Sequence, residues 1–208
     1  MATHALTREE SVRRGIVLER LTIGWNLAEC LVAVVAGLST GSIALVGFGI
    51  DSAIESTSGV VLLWRLNAES RGRQVAAVER TALKLVAGSF FLLAAYVAWD
   101  SATALITHKE PERSFAGIVL AVVSLIVMPL LAKAKRKTAE KLESAALQAD
   151  SRQTSLCAYL SAILLAGLAL NATLGWWWSD PVAGLLMVPI IANEGRRAMK
   201  GETCSDCH

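Results

Sequence analysis

A chain of 208 residues that is 54% hydrophobic, with a mean hydropathy of +0.49, carries its apolar residues in long blocks, which excludes an ordinary water-soluble domain. Its formal net charge is only +2, from 20 Lys and Arg against 18 Asp and Glu, so a nucleic-acid partner is not expected. Six apolar blocks leave no room for a separate soluble domain, and the expected fold is all-α: a polytopic membrane protein built as a six-transmembrane-helix bundle.

Residues 1–14 contain Arg8, Glu9, Glu10, Arg13 and Arg14 with no small-residue cleavage site; a cytoplasmic N-terminus without a removable signal peptide is expected. Residues 15–195 form the expected six-helix domain, with spans near 16–38, 42–66, 83–106, 115–134, 147–174 and 176–195, each close to or above the ~20 residues that cross hydrocarbon. The second span holds two acids one helical turn apart, Asp51 and Glu55. A charge at a helix centre costs about 2.5–3.5 kcal/mol on translocon scales, so the pair needs a partner, water or an ion.

Pro129 in the fourth span and Pro189 in the sixth can kink their helices. The stretch 133–148 is rich in helix formers and lacks Gly and Pro, so the fifth helix is expected to begin there, as a basic cytoplasmic elbow. In the fifth span Asp150, Gln153 or Thr154, Cys157 and Ser161 share one stripe. Gly175 and Trp176, Trp177 and Trp178 mark an interfacial turn, and Asp180 before Pro181 is placed to cap the sixth helix. Residues 196–208 form a short tail ending in Cys204, Ser205, Asp206, Cys207 and His208.

Basic residues cluster in the N-terminus, the second-to-third connection (Arg65, Arg71, Arg73, Arg80), the fourth-to-fifth (Lys133, Lys135, Arg136, Lys137, Lys141) and the tail, whereas the opposite side has Lys109 and Arg113 beside Asp100, Glu110 and Glu112. Both termini are therefore expected in the cytoplasm. The four cysteines lie in spans (Cys30, Cys157) or in the cytoplasmic tail (Cys204, Cys207), where a disulfide framework is not expected.

Two polar stripes in an apolar bundle are expected to face each other. Asp51, Glu55, Cys157 and the amide oxygen of Gln153 then make a four-ligand pocket of a kind that Zn²⁺ or Cd²⁺ accepts, with Asp150 as a secondary contact at the entrance. The structural alternatives are an acid pair neutralised by Arg20 or Arg152, a packing cysteine, and a glutamine that hydrogen-bonds between helices. The tail residues Cys204, Cys207 and His208 suit metal capture; Cys-x-x-Cys-His also matches a c-type haem attachment pattern. His4 and His108 lie apart and need no metal.

The run from Gly41, Ser42, Ile43, Ala44 and Leu45 to Asp51 and Glu55, the segment Ser144-Ala145-Ala146-Leu147-Gln148-Ala149-Asp150, and Trp178-Ser179-Asp180-Pro181-Val182-Ala183-Gly184 together resemble the cation diffusion facilitator family. Asn26 and Glu29 in the first span are similar as well, and the resemblance covers roughly 16–201. It implies a six-helix homodimeric transporter, not an enzyme, that exports divalent metal in exchange for protons, without a resident cofactor. By resemblance Asp51 and Glu55 match the acidic pair of the second helix. Gln153 and Cys157 stand where the family has a His-xxx-Asp pair: a side chain suited to titrate near neutrality is lost and a soft ligand gained. The family's usual cytoplasmic C-terminal domain is expected to be absent. The resulting expectation is Zn²⁺- or Cd²⁺-like efflux by proton antiport and alternating access, in a bacterial inner membrane. A non-transporting scaffold of the same fold and a thiol-redox or haem membrane protein are the alternatives.

Overall fold

The computed structural model describes residues 8–40, 43–72, 75–108 and 115–200. They form six helices: α1 (Arg8–Thr40), α2 (Ile43–Ser70), α3 (Val75–Thr107), α4 (Phe115–Leu142), α5 (Ala145–Leu174) and α6 (Ser179–Lys200). No strand occurs among the described residues. By length and composition α1 to α4 are each able to cross a membrane, which supports the expected polytopic bundle.

α1 packs along α2, α4 along α5 and α3 along α6; contacts of α1 with α4 and of α2 with α5 close a four-helix ring. The α3–α6 pair leans on this ring through α2 and α5. The main apolar core joins the two parts, with Leu62, Leu66, Val86, Phe90, Leu147 and Ile191 fully buried. Outward, Leu38 is 72%, Ile106 78% and Phe115 83% exposed. Large apolar side chains turned outward along helices of this length fit a hydrocarbon solvent.

One boundary differs from the sequence expectation. The helical stretch after residue 134 belongs mainly to α4, which continues to Leu142 before α5 starts at Ala145. Glu143 takes a left-handed conformation (φ 50°). The Ser144 amide donates to the Ala139 carbonyl (3.1 Å) and the Glu143 amide to that of Glu140 (3.3 Å), a Schellman closure without glycine. Ser144 then caps α5, its hydroxyl accepting from the Leu147 amide at 3.1 Å. Glu79 of α3 reinforces this start: its Oε1 accepts from the Ala146 amide at 2.8 Å. Its Oε2 accepts from Arg65 Nε at 2.5 Å. Arg65, counted by sequence as a connection charge, is thus 1% exposed and paired with Glu79 and Glu69.

At the other end, Gly175 supplies the positive φ (68°) that stops α5, and Trp176 stacks on Trp178 with ring centroids 5.5 Å apart. Pro181 falls in the first turn of α6; the Asp180 side chain, expected to cap it, lies outside the described side chains.

Candidate metal centre

Helix α2 organises the polar interior. Gly47, Asp51 and Glu55 follow one another at four-residue intervals, about 6 Å of rise per step, and Ser58 continues the same face. Asp51 and Glu55 are 4% and 2% exposed. From α5 the buried Cys157 thiol lies within reach of both carboxylates, and Thr154 faces Glu55. From α1, Glu29 accepts a hydrogen bond from the Ser52 hydroxyl at 2.8 Å and stands within electrostatic range of Asp51 and Glu55. Asn26, one turn earlier, is fully buried.

Unpartnered buried polar atoms gather at this level of the bundle. Asp51 Oδ2, both oxygens of Glu55, Glu29 Oε1, both amide atoms of Asn26 and Ser124 Oγ are buried without a hydrogen-bond partner. Buried polar atoms in folded proteins are nearly always paired, so orphans gathered from α1, α2 and α4 mark a place built to receive polar ligands. Proximity is not yet coordination: among the described residues, no three His, Cys, Asp or Glu side chains are arranged to hold one ion. The thiol reaches both acids, but the acids stand on successive turns. Closing all three onto one ion therefore requires side-chain or helix movement.

The other expected ligands have definite places. Gln153 is 1% exposed, and its Oε1 accepts from the Ser89 hydroxyl of α3 at 2.9 Å. Its amide oxygen is thus turned toward α3. Asp150 is wholly buried and accepts from Ser58 at 2.5 Å and from Lys135 Nζ at 2.6 Å. Lys135 also pairs with Glu19 Oε2 at 3.0 Å, all three side chains being sealed from solvent. Cys204, Cys207 and His208 lie outside the described residues.

Lys135 and Glu19 escaped the sequence reading, which placed Lys135 in a basic cytoplasmic elbow. Arg20 is exposed and Arg152 pairs with Glu194 at 2.9 Å, so the cation beside the acids is Lys135. The signal was present: Ser124, Met128, Ala132, Lys135 and Ala139 recur at the three- and four-residue spacing of the buried α4 stripe.

Long apolar helices around a buried centre of carboxylates and a thiol are the architecture of an integral membrane protein with ionisable groups in its interior. A family model described as the cation efflux transmembrane domain matches residues 20–201, and the chain belongs to that family. It is 26% identical over 174 residues to an uncharacterized transporter, sll1263, of Synechocystis sp., an alignment covering 79% of this chain and 55% of that protein. It is 23% identical over 191 residues to the cation-efflux pump FieF of Shewanella oneidensis, covering 86% of this chain and 61% of the pump. The chain thus spans between about half and three fifths of the length of these relatives.

Proposed function

We propose that this cation-efflux family member carries a divalent ion of the Zn²⁺ or Cd²⁺ class out of the cytoplasm in exchange for protons, by alternating access and as a homodimer. In this reading Asp51, Glu55 and Cys157 grasp the ion, Gln153 adds its amide by turning from Ser89, and Asp150 lines the approach. Both termini face the cytoplasm of a bacterial inner membrane, and Cys204, Cys207 and His208 collect metal there. The role is transport rather than catalysis, with the metal as cargo. The observation that carries the reading is the set of unpartnered carboxylate oxygens on Asp51 and Glu55 beside the buried Cys157 thiol.

The coupling follows from linkage. Thiolate and carboxylate bind metal only in their deprotonated forms, so an arriving ion expels protons and an arriving proton expels the ion. If the same centre opens alternately to the two sides, that competition becomes antiport. The movement needed to bring three donors onto one ion is then part of the transport cycle.

The test is reconstitution in vesicles carrying metal- and pH-sensitive dyes. Zn²⁺ or Cd²⁺ flux accompanied by opposite proton flux, and lost in Asp51→Asn and in Glu55→Gln, is expected. Metal movement without counter-flow of protons refutes antiport. Unchanged metal binding in both Asp51→Ala and Cys157→Ser refutes the site and favours a non-transporting scaffold, a reading consistent with the absence of a ready-made cluster among the described residues.

A further inference from the structure

Asp51 borders more than the acid pair. A cavity of about 80 Å³ opens beside it, lined by Gly47 of α2, Tyr96, Asp100 and Ser101 of α3, and Gly184 of α6 among others. Each water needs roughly 10–15 Å³ of such volume, so a cation can enter with part of its hydration shell. Asp51, whose Oδ2 is buried and without a hydrogen-bond partner, belongs to this wall. Asp100 is half-buried, and no Lys or Arg among the described residues pairs with it. Tyr96 lines the same cavity, within electrostatic range of both acids.

Two glycines create this arrangement. A Cβ at Gly47 would collide with the Tyr96 hydroxyl and would lie 3.4 Å and 3.5 Å from the Asp100 carboxylate oxygens. A Cβ at Gly184 would collide with the Ser101 hydroxyl. Bare backbone on α2 and α6 thus admits the polar face of α3. Asp100 is therefore level with Gly47, one turn of α2 beyond Asp51 on the side away from Glu55.

We propose that Asp100, with Tyr96, forms a second cation station on the outer side of the Asp51–Glu55 centre, receiving the divalent ion as it leaves. The proposal rests on the reading that the ion first occupies the acid pair. Asp100 stands on α3 across the cavity that Asp51 borders, so an ion leaving Asp51 through that cavity meets it as the next carboxylate. The two stations differ in chemistry in a way that suits the outer one to release. The inner one includes a thiol, whereas the outer one offers only carboxylate, phenol and hydroxyl oxygens, a harder and weaker set for Zn²⁺ or Cd²⁺. Release requires a site that accepts the ion without retaining it.

The experiment compares wild type, Asp51→Asn, Asp100→Asn, Asp100→Glu and Tyr96→Phe, measuring Zn²⁺ binding by calorimetry in detergent and Zn²⁺ flux in vesicles. Asp100→Asn is expected to retain tight binding while turnover falls about tenfold, the weak exit site having been removed; Asp100→Glu restores turnover, and Tyr96→Phe lowers it less. An Asp100→Asn protein that transports at the wild-type rate, while Asp51→Asn is inactive, overturns the outer station alone. Loss of tight binding in both Asp100 variants also overturns it, by making Asp100 a structural support of the inner centre. Wild-type protein that neither binds nor moves Zn²⁺ overturns the underlying reading and the outer station with it.

Discussion

Replacing Lys135 with Met gives the sharpest test of how the interior is held together. Lys135 Nζ lies 2.6 Å from Asp150 Oδ2 and 3.0 Å from Glu19 Oε2, and none of the three side chains has any exposed surface. The methionine keeps the length and the apolar stem but removes the charge shared by two carboxylates. Breaking a fully buried ion pair by deleting one partner costs about 3–5 kcal/mol, because the remaining charge is left uncompensated. Both acids lose their cation here, so the upper half of that range applies. At roughly 2–4 °C per kcal/mol for a chain of this size, the midpoint falls by about 10–20 °C. Thermal unfolding in detergent, followed by circular dichroism, reads the shift. Adding Glu19→Gln and Asp150→Asn to Lys135→Met should recover most of it, since removing a buried charge group as a whole is often nearly neutral. A Lys135→Met protein that melts with the wild type, or a triple variant no more stable than the single one, refutes the reasoning.

Cys157→Ser exchanges a soft donor for a hard one beside Asp51 and Glu55, and the preference for Cd²⁺ over Mn²⁺ should fall about tenfold, equivalent to roughly 1.4 kcal/mol; competition binding with an unchanged ratio contradicts a ligand role for the thiol. Glu79→Ala removes an acceptor from the first turn of α5 and one of the two acids paired with buried Arg65. The combined loss is roughly 3 kcal/mol, and hydrogen exchange should quicken at the amides of residues 145–148. Unchanged protection there shows that Ser144 alone caps the helix.

The helices were legible because membrane crossing imposes length and apolarity together, and the Asp51–Glu55 pair because acids at i and i+4 in an apolar run have no ordinary explanation. Helix ends were less legible. The α4–α5 junction closes on Glu143 and Ser144, so it carries neither Gly nor Pro, and an apolar block ends where lipid ends rather than where the helix does. The same effect hid Lys135 and Arg65: counted by side of the membrane, each resembles a loop charge, yet each continues the buried face of a helix that has left the apolar block. Gln153 shows a different limit. Periodicity placed it on the polar stripe, but which neighbour accepts that stripe is decided by packing, and its oxygen meets Ser89 of α3. Asp100 and Glu19, single acids toward the ends of spans, carry no local pattern that separates them from interfacial residues.

Partnership divides the acids of the interior into two groups. Glu19 and Asp150 share Lys135, and Glu69 and Glu79 share Arg65; these charges are balanced by cations belonging to the chain and join α1 to α4 and α5, and α2 to α3. Glu29, Asp51 and Glu55 are equally buried but form no ion pair with any described residue. Glu55 lies near enough to Lys135 to feel its charge without pairing with it. A protein that needed only to neutralise its buried acids had the means to do so, since it does so twice within the same bundle. Three neighbouring acids stand without a resident cation, while those nearer the end where the basic connections lie are compensated, and this contrast supports the proposed cation site. Lys135, its one charge shared by Asp150 and Glu19, fixes both acids in place and ties α4 to α1 and α5.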